Sequence, residues 1–209
     1  MKHHQDIAAR AMELGPEYGI DAETADRIAR FAEHLEKWQK AINLVSAKTL
    51  PHLWERHIFD SLQLAPLIPA GARTIVDVGS GAGFPGLILA ILNRWDVHLV
   101  ESDTRKSVFL RDSARLCGVP VTVYAVRIES LDAPKADVIT ARALAPVADL
   151  LRLTAGFRQP GTIHLFPKGR GAEAELTDAQ KTWTLTIGRT PSLTDPDAVI
   201  LQIGEVQSK

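Results

Sequence analysis

Thr74-Ile75-Val76-Asp77-Val78-Gly79-Ser80-Gly81-Ala82-Gly83-Phe84-Pro85-Gly86 decides the fold class of this 209-residue chain. A short β-branched run, suited to a buried strand, meets alternating glycines, and a helical stretch from Gly86 to Leu92 follows. Glycines are needed at such a junction because the turn is tight and a ligand must come close to the main chain. Glu101 ends the next strand, 22 residues beyond Gly79 (101 − 79). A carboxylate there can accept hydrogen bonds from both hydroxyls of a ribose. Strand, glycine turn, helix and acid together indicate a ligand that contains adenosine.

Outward from this junction the pattern alternates. The sequence predicts strands over Val97–Val100, Val121–Ala125, Ala136–Thr140 and Thr162–Phe166, with helices over Thr104–Leu116 and near Val147–Ala155. Such βαβα order implies a doubly wound parallel sheet. Trp183–Ile187 and Ala198–Ile203 are strand-like runs with only a loop between them, too close for a helical crossover, so they are expected to pair antiparallel. The fold class is α/β and Rossmann-like: a seven-stranded, mostly parallel sheet with an antiparallel last strand. Ahead of it lies a helical N-terminal extension. Apolar residues recur at helical spacing from Ala22 to Ile42, with Asp21 as the cap. A weaker helix covers Ile7–Leu14, and a further one Leu50–Leu67, ended by Pro66, Pro69 and Gly71. Residues 1–70 are expected to form a cap on the core, and residues 71–209 the ligand-binding domain.

Composition narrows the function classes. The chain is 45% hydrophobic and 23% charged, as in an ordinary globule, and no stretch reaches the ~20 apolar residues of a membrane span. Met1–Arg10 lacks the apolar run of a signal peptide, so a cytoplasmic protein is expected. Cys117 is the lone cysteine, and the seven histidines lack the spacing of a zinc site, so no metal is expected. Net charge is −1, so an RNA partner would have to be met by a local basic patch. A nicotinamide site is the rival for the glycine turn. Against it, the spacing is G-x-G-x-G, and Pro85 has no N–H to offer a pyrophosphate where the helix begins.

With these residues in hand, Val76–Gly86 resembles the glycine motif of the class I S-adenosylmethionine methyltransferases. The resemblance extends in order through Trp38 and Asn43-Leu44, Arg56-His57-Ile58-Phe59-Asp60-Ser61, and Lys106 with Phe109-Leu110-Arg111. It continues through Arg127-Ile128-Glu129, Thr140-Ala141-Arg142-Ala143 and Pro167-Lys168-Gly169. Over residues 30–170 this set is similar to the bacterial 16S rRNA guanine-N7 methyltransferases, the glucose-inhibited division protein B family. The resemblance implies S-adenosylmethionine as cofactor and methyl transfer to N7 of one guanine in the decoding-region loop of 16S rRNA. It implies cofactor contacts from Gly79, Phe84, Ile128, Glu129 and Arg142. Relatives often carry a basic residue before the last strand, where this chain has Thr194-Asp195-Pro196-Asp197; a role for such a base is not carried over.

The residues add their own expectations. Asp77, Gly81, Gly83 and Glu101 join the cofactor set, Asp77 either orienting the turn or lying near the methionine amine. Glu129 would act through main-chain groups. Arg127, Arg142 and Lys168 follow the third, fourth and fifth strands, whose carboxyl ends face the ligand crevice, and are candidate substrate contacts. The alternative is that they pair with acids as structural bridges. Lys37, Lys40, Lys48 and Arg56-His57 could extend a basic surface, unless Asp60 pairs with His57 one helical turn away. Guanine N7 has no proton to lose, so no catalytic base is required and no catalytic residue is assigned. A monomer acting on 16S rRNA or the small subunit is expected, with no membrane partner. Two other readings remain open: a methyltransferase with another substrate, and a non-catalytic RNA- or ribosome-binding protein on the same fold.

Overall fold

The computed structural model describes residues 2–132 and 134–209. Its strands are β1 (Thr74–Val78), β2 (Asp96–Val100), β3 (Thr122–Tyr124), β4 (Val138–Thr140), β5 (Ile163–Lys168), β6 (Trp183–Pro191) and β7 (Val199–Ser208). They form one seven-stranded sheet in the order β3-β2-β1-β4-β5-β7-β6. The pairings from β3 across to β5 are parallel, and β7 runs antiparallel to both β5 and β6. Strand order reverses at β1, which pairs with β2 on one side and β4 on the other. That switch point lies at the carboxyl end where the glycine turn begins, the place where an open α/β sheet leaves a crevice.

The helices are α1 (Lys2–Glu13), α2 (Gly15–Tyr18), α3 (Ala22–Gln39), α4 (Asp60–Leu62), α5 (Gly86–Ile91), α6 (Thr104–Cys117), α7 (Val147–Leu153) and α8 (Ala172–Thr182). Alternating strand residues feed two apolar layers. Ile75, Val97, Leu99 and Val138 pack with α1, α3, α5 and α6, whereas Val76, Val78, Ile139 and Phe166 pack with α7 and α8. Every residue of α5 is buried. The N-terminal helices share this core: Phe31 of α3 lies edge-on to Phe84 at 5.5 Å and 6.2 Å from Phe109 of α6. Trp38 packs against Phe109 and Trp54 against Phe59, so both tryptophans serve the core. Asp21 caps α3 as expected, accepting from the Thr24 amide at 2.8 Å.

Three departures have physical causes. Residues 50–67 do not form one helix. A 3₁₀ turn (Leu50–His52) precedes a π-helical turn (Trp54–Phe59), then come α4 and a second 3₁₀ turn (Ala65–Leu67). Apolar spacing reports a buried face and not the width of the turns. Second, α3 stops at Gln39 and not at Ile42, because the Gln39 amide holds the following turn: Oε1 accepts from Leu44 N (2.9 Å) and Val45 N (3.0 Å). Third, α8 was not expected. It buries only Ala172, Leu176 and Ala179, too little apolar mass to show as a periodic pattern. The β6–β7 hairpin also runs further than expected, to Pro191 and Ser208. No helix among the described residues is long and apolar enough to cross a membrane.

Candidate functional site

At the end of β1 the chain turns on Gly79 (φ +70°), Gly81 (φ +54°) and Gly83 (φ +88°), a backbone region that other residues enter only with strain. The amides of Gly79 and Ser80 both donate to Val100 O, at 2.9 and 3.1 Å, tying the turn to the end of β2. Glu101, the next residue, is buried, and its carboxylate is fixed from two sides. Oε2 accepts from the Gly81 amide at 2.8 Å, and Oε1 accepts from the Asp103 amide at 2.8 Å. Each carboxylate oxygen has two lone pairs, so this arrangement leaves acceptor capacity on both. The glycine turn and the acid, expected to share a ligand, also touch each other directly.

Asp77 lies beneath the turn, wholly buried. Its Oδ1 accepts from Thr140 Oγ1 of β4 at 2.7 Å, while Oδ2 has no partner. Burial raises its carboxyl pKa to about 6, against the hydrogen bonds from Thr140 and Ser80 that pull the other way. A Cβ at Gly86 would fall 2.6 Å from Asp77 Oδ2 and 2.5 Å from Leu99 Cδ2, so a glycine is required for α5 to seat on β1 and β2. Above the turn, Leu144 covers Gly79, whose added Cβ would meet Leu144 Cδ1 at 2.8 Å. Ala143 beside it adopts φ +53°. At Gly81 an added Cβ would meet nothing closer than Gly79 O at 3.6 Å, so that side of the turn is open.

Arg142, at the end of β4, does not project into the crevice as a free cation. Its Nη1 donates to Asp60 Oδ2 (3.0 Å) and to Arg56 O (3.0 Å), the latter a carbonyl within the π-helical turn. Its Nη2 donates to His57 Nδ1 at 2.8 Å. Because Nδ1 accepts, the imidazole proton sits on Nε2 and is donated to Thr49 Oγ1 at 2.8 Å. Burial, with Arg142 and Arg56 adding to it, lowers the His57 pKa to about 3. Burial also pulls the Arg142 guanidinium below its ordinary value, and Asp60 opposes that shift. The Phe84 ring completes the cluster, with the His57 ring 5.0 Å away and nearly parallel and the Arg142 guanidinium 5.2 Å from its centre. The expected Asp60–His57 pair is therefore replaced by separate bonds from each to Arg142. Here the widened turn matters, since it presents a main-chain carbonyl to an incoming side chain.

Lys168 is likewise engaged, donating to Glu175 Oε2 (2.8 Å) and Ala145 O (2.7 Å). Arg127 is exposed and precedes the 3₁₀ turn Ile128–Ser130, in which Ile128 is half-buried and Glu129 exposed. This turn follows β3, whose last residue, Tyr124, accepts from the Glu101 amide at 3.0 Å. The acidic run before β7 faces the same rim. Thr194 Oγ1 donates to Asp60 Oδ1 (2.7 Å), Asp195 accepts from Arg56 (2.9 Å), and Asp197 accepts from Arg170 Nε (2.9 Å). Thr49, Thr140 and Leu144 escaped sequence reading. Only Thr140 carried a signal, as the neighbour of Arg142. Among the described residues no three His, Cys, Asp or Glu side chains gather as a metal site. Cys117 is buried, which pushes its thiol up to about 11.

Residues 24–197 match the family described as rRNA small subunit methyltransferase G. A protein of Rhodospirillum centenum named ribosomal RNA small subunit methyltransferase G is 52% identical over 197 residues, covering 94% of this chain and 91% of its own. One of the same name from Paramagnetospirillum magneticum is 53% identical over 198 residues, covering 92% and 97%. Among solved structures, an O-methyltransferase from Bacillus cereus in complex with SAH superposes with a TM-score of 0.58 at 14% identity, over 97% of this chain and 100% of that one. A ribosomal protein L11 methylase from Lactobacillus delbrueckii subsp. bulgaricus gives 0.56 at 16% identity, over 70% and 76%. At such identities the structural likeness speaks to the fold alone.

Proposed function

The chain belongs to the rRNA small subunit methyltransferase G family, and on that premise we propose that it methylates N7 of a guanine in 16S ribosomal RNA, in the decoding-region loop, using S-adenosylmethionine. The observation that carries the cofactor half is the Glu101 carboxylate held against Gly81, with open space on that side of the turn. Glu101 would take the ribose hydroxyls with its remaining lone pairs. Gly79, Gly81 and Gly83 would let the ligand approach the main chain, and Phe84 would supply apolar contact. Asp77, with an unpartnered oxygen under the turn, places negative charge where an ammonium group would be favoured. Ile128 and Glu129 would border the adenine. Arg142 would act from its fixed position beside Phe84. Residues 71–209 then form the cofactor-binding domain and residues 1–70 a cap on it, the two sharing one apolar layer.

The bound cofactor supplies a methyl group on a sulfonium sulfur, a leaving group that needs no acid. Guanine N7 attacks with an in-plane lone pair and releases no proton, so the chain's task is alignment and exclusion of water. His57 fits that scheme: it is neutral, with both ring nitrogens committed, and is not available as a base. Of the three candidate substrate cations, Arg127 is the exposed one and the one we assign to RNA. We take the protein to act as a cytoplasmic monomer on the small subunit or its rRNA.

The test is methyl transfer from labelled S-adenosylmethionine to small subunits from a strain lacking this protein, with the product base mapped. Label at one guanine N7, lost with Glu101→Ala or Gly79→Asp, is expected. Turnover without RNA would instead assign another substrate, and RNA binding without transfer a non-catalytic role.

A further inference from the structure

Away from the glycine turn, a cavity of about 350 Å³ opens between the end of α3 and the start of α6, lined by Gln39, Lys40, Asn43, Asp103, Arg105 and Lys106. Both walls are held in place. On one, the Gln39 side chain accepts from two amides and donates to Val45 O (2.9 Å), clamping the turn that carries Lys40 and Asn43. On the other, Asp103 Oδ1 accepts from the amides of Arg105 (2.8 Å) and Lys106 (3.2 Å). Three cations thus face a cavity with one carboxylate, which is already occupied with main-chain donors. Lys40 and Lys106 form no ion pair among the described residues, and Arg105 reaches Asp103 only at 3.6 Å.

Fold stability does not account for this arrangement. Lys40, at the end of α3, suits the negative pole of that helix. Arg105 and Lys106 do not suit theirs: they stand in the first turn of the 14-residue α6, which has no acidic residue there, against the positive pole. An anion in the cavity would offset the unfavourable placement of Arg105 and Lys106 and would itself suit the positive pole of α6. No aromatic side chain lines the cavity, so it is built for a phosphate and not for a stacked base. Its location is also informative. The Asp103 amide donates to Glu101 Oε1, so the cavity adjoins the candidate cofactor site.

We propose that this cavity binds a backbone phosphate of the RNA substrate, through Lys40, Arg105 and Lys106. The inference rests on the RNA methyltransferase reading above. Contact of this kind carries no base identity; it sets the register of the strand and depends on salt.

The experiment uses the full-length protein with Lys40→Gln, Arg105→Gln and Lys106→Gln, singly and combined, and a wild-type control. Affinity for small subunits or 16S rRNA is measured across salt concentrations, alongside methyl transfer and calorimetric binding of S-adenosylmethionine. For single-stranded RNA each phosphate contact contributes about 0.7 to the slope of log affinity against log salt. At 0.1 M salt, loss of that one phosphate contact in the triple variant is about fivefold in affinity, with smaller losses for the single variants. The expected result for the triple variant is a salt slope reduced by about 0.7, KM for RNA raised accordingly, kcat nearly unchanged, and unaltered cofactor binding. The single variants at these helix ends cover the case in which the triple fails to fold. An unchanged salt slope and KM in variants that still transfer methyl would overturn this site while leaving the RNA reading intact. Loss of cofactor affinity would also overturn it, assigning the cations to the cofactor. Wild-type protein that binds the cofactor but neither binds nor methylates RNA would sink both readings together.

Discussion

Asp60→Ala tests whether the N-terminal segment is structurally wired to the site. Asp60 accepts three side-chain hydrogen bonds, from Arg142 (3.0 Å), Gln63 (2.9 Å) and Thr194 (2.7 Å). Removing the carboxylate leaves the Arg142 guanidinium with a carbonyl, an imidazole and an aromatic face, but no hydrogen-bonded carboxylate; Asp77 acts on it only at a distance. Stripping one member from a buried ion pair costs about 3–5 kcal/mol. The Asp60 and Arg142 side chains retain 17% and 18% exposure, which favours the lower end, about 3 kcal/mol. Asp60→Asn keeps an acceptor oxygen and should cost about 1–2 kcal/mol. Urea unfolding reads these as shifts in midpoint at constant slope; with a slope of about 2–3 kcal/mol/M, the alanine variant should lose about 1 M. A cycle with Arg142→Met isolates the pair. The double variant leaves no unpaired charge, so its loss should fall short of additivity by about 2 kcal/mol. A coupling under about 0.5 kcal/mol would refute the reasoning, because that is what an exposed pair yields.

Gly86→Ala should destabilise by about 3 kcal/mol or more, since its Cβ meets Asp77 and Leu99 in a closed layer; near-wild-type unfolding would show that α5 can slide. Nitrogen-15 imidazole spectra should show His57 as the Nε2–H tautomer and uncharged at pH 6, and a doubly protonated ring there would contradict the Arg142 bond. His57 and His164, lowered by burial to about 3 and about 4, make the fold lose stability as pH drops below about 6.5, by about 1.4 kcal/mol per pH unit each. Asp77, raised to about 6, acts oppositely: between pH 6 and about 3.8 the fold holds a proton that the unfolded chain has released. Asp77→Asn should therefore make acid destabilisation steeper across that window, and parallel stability curves for the two proteins would dispose of the buried-charge account.

What was legible in the sequence is what is encoded in short windows. β1 was placed at Thr74–Val78 because four β-branched residues end at a glycine, and α6 to within one residue; the structure caps that helix with Asp103 and Gly118. The spacing of Gly79 and Glu101 assigned both to one ligand, whereas the bond from the Gly81 amide to Glu101 came only with the folded chain. Faint local pattern explains the miss at α8, whose buried face is two alanines and a leucine.

The partners of the charged residues were decided by tertiary structure. Arg142 and Lys168 had either substrate or an acid as partner, and Asp60 had His57. A side chain's mate is set by where distant segments cross, and here strand β4, the π-helical turn and the loop before β7 meet at Arg142 and Asp60. Local spacing suggested Asp60 with His57; burial selected Arg142 for both, because a guanidinium taken from water must find acceptors on every side. The same logic separates Arg127, left in solvent, from Arg142 and Lys168, drawn inside. Composition and periodicity determine which apolar residues leave water and where the glycine turn falls. Only the packed fold determines which buried charges then face one another.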